Sequence, residues 1–268
     1  MLIRRILDKL PHPNPNIQRN REINKRIRRF IETKSNAVMP PRETVFNIEV
    51  LIPCYNHGRY LETALASILE GTSITVINDA STDDTKSIAE KLAKHFDFQL
   101  INNETNLNQA GSLNLAITRS SNNLFMVLNA DDVLMPHAIN TAYALYSHYP
   151  NIRLAGGSSV VFSDEKSLRF AETLPKTLHY IPAIHVVGPR EAQSFNALND
   201  ILITMSGSSF LKSAWGAAGG FLPFKDRVCS YDDRDFQMRV CALFDAAVTE
   251  EPVSFYRTNS STQRSQSV

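Results

Sequence analysis

The sequence predicts an α/β fold, a mostly parallel central sheet with helices on both faces. Three observations carry that prediction. From Phe46 onward, runs rich in Ile and Val alternate with segments of helical periodicity, four β-then-α units in succession. The apolar runs are near-continuous, as expected of strands buried on both faces. They also stop abruptly at polar residues, and right-handed crossovers bring such strand ends to one edge of the sheet, where open α/β sheets bind ligands.

The first unit is the strand FNIEVLIPCYN and the helix GRYLETALASILEG, with Leu61, Ala64, Leu65, Ile68 and Leu69 on one side and Gly71 closing it. SITVINDAS is the second strand. STDDTKSIAEKLAKHF is the second helix, with Ile88, Ala89, Leu92, Ala93 and Phe96 expected inward. FQLINN and QAGSLNLAITRS make the third unit. NLFMVLNADD and PHAINTAYALYSHYP make the fourth, which Pro150 ends. The second half is less regular. NIRLAGGSSVVFS reads as a strand pair or one long strand, and PREAQSFNALN as a helix within a mixed connection. TMSGSSFLKS is expected as a strand and DRDFQMRVCALFDA as a helix presenting Phe236, Val240, Leu243 and Phe244. AVTEEPVSFYRT is expected as the last strand.

Three units of organisation follow: a basic arm and linker over 1–45, a catalytic domain over 46–257 with halves 46–135 and 136–257, and a flexible tail over 258–268. Residues 1–34 carry ten basic side chains against three acidic ones, so the arm holds +7 and the remainder about −6 of a net +1. In REINKRIRRFIETK, Ile23, Ile27, Phe30 and Ile31 recur at helical spacing with arginines between them. Such a segment can lie on an anionic membrane surface, dock on another subunit, or pack back on its own domain. The near-neutral total and the scarcity of interleaved aromatics argue against nucleic acid as a partner. Three scattered cysteines, Cys54, Cys229 and Cys241, form no CxxC pair, which argues against a disulfide frame or a zinc site. No apolar run approaches the roughly 20 residues that span a bilayer, and the expectation is a cytoplasmic protein.

The stretch VLNADDVLMP is the most informative. An apolar run ends at Asn129, Asp131 and Asp132, hard oxygen groups suited to Mg²⁺ or Mn²⁺ beside a phosphorylated substrate. These acids could equally cap the next helix, near Pro136. The other tips are Pro53-Cys54-Tyr55-Asn56 and Asn78-Asp79-Ala80-Ser81. Asp79 could bond a base or ribose, or serve only the start of a helix. Tyr55 could stack on a base, or merely pack.

Together, VLIPCYNHGRYLETALASI, VINDASTDDT, NLNQAGSLNLAI, LNADDVLMP, SGSSFLKSAWGAAGGF and SYDDRDFQMRV resemble, in order, the signatures of the inverting family 2 glycosyltransferases, over roughly residues 47 to 257. The resemblance implies the GT-A, nucleotide-diphospho-sugar transferase fold. It implies donor contacts at Pro53, Tyr55, Asn56, Asp79, Asn129 and Ala130, a metal ligand at Asp131 for Mn²⁺ or Mg²⁺, and a catalytic base at Asp233 beside Asp232. Trp215 and Gly220 fall on the acceptor side, where Trp215 could stack on a sugar or pack in the core. Asn78 and Asn129 stand where the family often has Asp. Asn108 stands in place of a frequent glycine, Leu113 in place of a frequent arginine, and YRTNSS lacks a histidine often found after Tyr-Arg.

The implied activity is transfer of a single sugar, most simply from a UDP-sugar, to a hydroxyl of a glycan, lipid-linked or protein acceptor in cell-surface polysaccharide or glycoconjugate synthesis. A non-catalytic nucleotide-sugar-binding or assembly protein on the same fold is the alternative. A dehydrogenase would need GxGxxG after the first strand, and a nucleotidyltransferase a glycine-rich basic loop there; IPCYNHGRYL offers only His57 and Arg59.

Overall fold

Strand β1 (Ile48–Cys54) is buried along nearly its whole length, with Val50, Leu51 and Ile52 fully enclosed. It pairs in parallel with β2 (Ser73–Asn78) on one side and β4 (Leu124–Val127) on the other. This computed structural model describes residues 15–34, 43–163, 183–189, 203–229 and 231–258, with a few positions between 164 and 182. The sheet order is β3-β2-β1-β4-β9-β6-β10-β8, completed by β3 (Gln99–Asn102), β9 (Ser209–Leu211), β6 (Ile152–Gly156), β10 (Asp245–Thr249) and β8 (Ile184–Val187). Only β9 and β8 run against the other six. The expected mostly parallel sheet is therefore present.

The first-half helices are α2 (Gly58–Ala66), α3 (Thr85–Leu92), α4 (Asn108–Arg119) and α5 (Ala138–His148). Leu61, Ala64 and Leu65 of α2 are buried as the periodicity required. Ala93 is not inward: α3 ends at Leu92, and Ala93 is exposed just beyond it. Gly58 lets α2 and α3 meet, since a Cβ there would lie 2.6 Å from the Thr85 Cα. The Gly58 N–H donates to Thr85 Oγ1 (2.9 Å).

The second half departs from the sequence expectations. NIRLAGGSSVVFS holds two strands, as one of its two expected readings had it, but they part: β6 lies in the main sheet and β7 (Ser159–Phe162) in a separate small sheet of order β5-β11-β7. AVTEEPVSFYRT is likewise two strands: β10 in the main sheet and β11 (Ser254–Arg257) in the small one, beside β5 (Val133–Leu134). Period-2 patterning cannot reveal that consecutive strands enter different sheets. The strand expected in TMSGSSFLKS shrinks to β9 and runs straight into helix α6 (Lys212–Ala218). The helix expected at PREAQSFNALN lies outside the described residues.

Helix α7 (Asp232–Cys241) is buried from Asp235 to Cys241 instead of along one stripe. It is covered by β6, β10 and α6, and also by helix α1 (Pro15–Lys34) of the arm. Ile23 and Ile27 of α1 are 5% and 1% exposed, so the arm's apolar side is spent on its own domain. That arrangement is the packing-back option, with Phe30 and Ile31 also packed, partly buried, against the core. Among the described residues no helix is long and apolar enough to cross a membrane.

Candidate active site

The tips of β1, β2 and β3 are tied together by short polar side chains. The backbone N–H of Asn56 donates to Ser81 Oγ (3.0 Å), and the Asn56 amide both accepts from Thr82 N (2.8 Å) and donates to Thr82 Oγ1 (3.2 Å). Asn78 donates to Asn102 Oδ1 (2.8 Å) and accepts from Ser81 N (3.2 Å). Asp79, 3% exposed, accepts from Asn103 Nδ2 and Leu107 N (both 2.8 Å) through Oδ1. It thus fixes the loop leading into α4 and does not cap α3. Tyr55 and Pro53 remain half-buried at the same edge.

Among the described residues, three other than glycine adopt the left-handed backbone, Asn56 (φ 57), Ala80 (φ 57) and Asn108 (φ 59), and all lie at this edge. Asparagine tolerates that conformation better than other L residues, which explains how Asn108 stands where glycine is frequent. Ala80 has no such relief. Strain concentrated at a ligand-facing edge is a recurrent mark of a functional site.

After β4 the chain presents Asn129, Ala130, Asp131 and Asp132, which behave differently. Asp132 is 2% exposed and turned inward, accepting from Ser206 Oγ (2.6 Å), Arg257 N (2.9 Å) and Asn129 Nδ2 (3.3 Å). Burial, and then the neighbouring Asp131, push its carboxyl up to about 6 against those stabilising bonds. Asn129 is engaged at both ends of its amide, taking Gln109 Nε2 (2.9 Å) on Oδ1. Ala130 is buried. Asp131 alone keeps a partly exposed carboxylate, 15% accessible, with His57 Nδ1 3.9 Å from its Oδ2.

Arg257 was not anticipated from the sequence, yet it holds this tip. Its Nε donates to the Asp131 carbonyl (2.8 Å), and its guanidinium lies 4.4 Å from the ring centres of both Tyr60 and Phe162. Ser206 and Gln109 were missed for the same reason: their roles exist only once distant segments meet. Tyr-Arg in YRTNSS was the available signal.

In the second half of the chain, Asp232 and Asp233 open α7, where acids suit the positive end of the helix dipole. Asp232 Oδ1 accepts from Asp233 N (3.1 Å) and its Oδ2 faces Arg227 Nη2 at 3.8 Å. Asp233 Oδ1 accepts from Arg234 N (2.6 Å). Burial is the largest influence on the Asp233 carboxyl and raises it above the usual carboxylate value, with the Asp232 charge adding to the rise. One turn on, Gln237 Nε2 donates to Ile203 O (3.1 Å). The 203–208 segment therefore touches α7 at Ile203, Asp132 at Ser206 and β4 at Gly207, where Gly207 N–H donates to Val127 O (2.8 Å).

Trp215 and Phe221, the residue after Gly220, share a partner. Asn114 Oδ1 accepts from Trp215 Nε1 (2.9 Å) and Phe221 N (2.9 Å), and Asn114 Nδ2 donates to Phe221 O (2.8 Å). Trp215 is half-buried against the core, and a Cβ on Gly220 would sit 2.9 Å from Asn114 Oδ1. A groove of about 780 Å³, lined by Glu49, Thr75, His95 and Arg119 among others, opens at the starts of β1–β3. That end is away from the strand tips and from every residue just described.

Residues 49–203 match the family model for Glycosyl transferase family 2. The chain belongs to that family. The poly-β-1,6-N-acetyl-D-glucosamine synthase of Staphylococcus epidermidis (strain RP62A) is 32% identical over 105 residues, 38% of this chain and 26% of that one. The chain spans 48% of the length of the putative glycosyltransferase EpsE of Bacillus subtilis (strain 168), 30% identical over 134 residues, and 24–32% of three such synthases. Among solved structures, S. aureus TarS 1–349 in complex with UDP-GlcNAc superposes with a TM-score of 0.62 at 15% identity, over 82% of this chain and 61% of that one. The mannosyltransferase PcManGT from Pyrobaculum calidifontis, in complex with GDP-Man and Mn²⁺, gives 0.56 at 15% identity, over 90% and 67%. At such identities the likeness establishes the shared fold and nothing finer.

Proposed function

We propose that this family 2 member transfers a single sugar from a nucleotide-diphospho-sugar, a UDP-sugar in the first instance, to an acceptor hydroxyl with inversion. The observation that carries the reading is the division of labour after β4. Asp132 is turned inward and hydrogen-bonded, while Asp131 keeps a partly exposed carboxylate at the sheet edge. That UDP-GlcNAc and GDP-Man occupy chains of the same fold supports a nucleotide-sugar donor.

Tyr55, Asp79 and the backbone around Ala130 are the donor contacts in this reading. Asn56 and Asn129 act as positioning residues, because their amides already hold Thr82, Gln109 and Asp132. Asp131 would hold Mn²⁺ or Mg²⁺. Among the described residues no group of three or more His, Cys, Asp or Glu side chains could enclose a metal. One exposed carboxylate fits a hard cation that takes its remaining oxygens from phosphate and water. The cation supplies neutralisation of the charge left on the departing nucleoside diphosphate.

Asp233 accepts the proton of the acceptor hydroxyl as that oxygen attacks the anomeric carbon from the face opposite the leaving group. Its raised carboxyl pKa suits the task, since a more basic carboxylate takes an alcohol's proton more readily. Trp215 and Gly220 belong to the acceptor side, with the Trp215 indole N–H already spent on Asn114. A glycan or glycoconjugate acceptor at the cell surface, reached from the cytoplasmic side, is the setting this reading implies. The basic outer side of α1 would meet a membrane by charge alone, its apolar side being buried.

The deciding experiment incubates the purified chain with a panel of UDP-, GDP- and dTDP-sugars, with Mn²⁺ or Mg²⁺, and measures free nucleotide diphosphate. Metal-dependent release from one donor is expected, faster with the right acceptor. Tight donor binding without release from any member would favour a non-catalytic sugar-nucleotide binder.

A further inference from the structure

His57 stands at the start of α2, where a polar side chain commonly caps the helix, yet it makes no capping hydrogen bond. Its ring is only 13% exposed, and Nε2 is buried without a hydrogen-bond partner among the described residues. Burying an imidazole nitrogen that has no partner among the described residues costs free energy that packing alone does not return. Tyr60 meets the ring edge-on, with ring centres 5.9 Å apart, and Tyr60 is itself covered by the guanidinium of Arg257, whose Nε grips the Asp131 carbonyl. His57 and Asp131 are thus set against each other by one shared support, with Nδ1 facing Oδ2 at 3.9 Å.

That separation is too long for a hydrogen bond but falls in the range one cation can bridge. Two donors each about 2.1 Å from an octahedral ion lie about 3.0 Å apart when adjacent and about 4.2 Å apart when opposite. We propose that His57 supplies a nitrogen ligand, through Nδ1, to the divalent cation that Asp131 holds. This rests on the assignment of Asp131 as the cation's carboxylate. The site would take one carboxylate oxygen and one imidazole nitrogen from the protein, and the rest from the donor's phosphates and water. A nitrogen ligand favours Mn²⁺ over the oxygen-demanding Mg²⁺. His57 would therefore set the metal preference of the site and not merely its affinity.

The test uses the full chain with Mn²⁺ and UDP, once with natural-abundance histidine and once with ¹⁵N-histidine, read by electron spin echo modulation of the bound Mn²⁺. Modulation from a directly bonded nitrogen is expected, changing with the label and disappearing in His57→Ala. In the same titration His57→Ala should weaken Mn²⁺ binding about tenfold or more and Mg²⁺ binding much less. Bound Mn²⁺ without histidine modulation, with binding still lost in Asp131→Ala, would overturn the proposal and leave the Asp131 assignment standing. Equal Mn²⁺ binding by the wild type and Asp131→Ala would overturn both. The labelling measurement needs no variant, so a misfolded His57→Ala cannot obscure the result.

Discussion

The strand tips of the first half and the acidic helix of the second are secured by opposite means. Between β1 and β3 the ties are neutral or singly charged and short: Asn56 to Thr82, Asn78 to Asn102, Asp79 to Asn103. Around α7 they are ionic and deeply buried. Asp235 and Arg239 are both 0% exposed and meet at 2.7 Å, Asp235 Oδ1 takes Val228 N (2.6 Å), and Arg239 Nη1 reaches Ala218 O (2.5 Å). Consecutive β-α units set the first region almost unaided, so modest bonds suffice to finish it. The second joins α6, α7 and the 221–229 loop across the sequence, and a buried charge pair penalises any arrangement but one.

Four expectations test that contrast. Asp233→Asn should reduce turnover by roughly 10²- to 10⁴-fold while nucleotide binding, measured by calorimetry, stays close to wild type. Near-normal turnover would place the base elsewhere. Next, Asp235→Ala strands Arg239 in the core and should cost about 3–5 kcal/mol in urea unfolding. Asn78→Ala at the tips should cost only about 1 kcal/mol, and equal losses would erase the distinction between the two regions.

The third concerns Asp132, whose folded carboxyl is raised from 3.8 to about 6. Because the folded protein binds this proton more tightly than the unfolded chain does, the stability that this group contributes is fullest below pH 4. It falls as pH rises through about 4–6, by about 3 kcal/mol in all. Asp132→Asn should flatten that part of the stability–pH curve and unfold at higher denaturant at pH 7.5. An unchanged pH dependence would show that Asp132 is not its source. The smallest effect belongs to Ala80→Gly, which relieves a left-handed alanine and should add about 1 kcal/mol; a loss of stability would mean that the strain lies elsewhere.

The legibility of the site follows the same division. Pro53, Tyr55, Asn56, Asp79, Asn129 and Asp131 could be placed on one edge because each ends a strand whose partners follow in order. What each does there was not legible. Asn129 and Asp132 read as polar groups offered to a ligand, but their bonds run to Gln109, Ser206 and Arg257, residues 20 to 125 positions away. The small sheet that delivers Arg257 was likewise hidden, since β10 and β11 look like one strand when only local pattern is available.

By itself the sequence determined the alternation of strands and helices, the parallel first half, the edge where polar groups collect, and the family. Those depend on periodicity and on residue types at fixed short spacings, which the chain carries wherever it goes. Tertiary structure decided which of two adjacent aspartates turns inward, which strand joins which sheet, that α1 is covered by its own domain, and that His57 faces Asp131. Each of those is a meeting of segments far apart in the chain, settled by burial and by the pairing of buried polar groups.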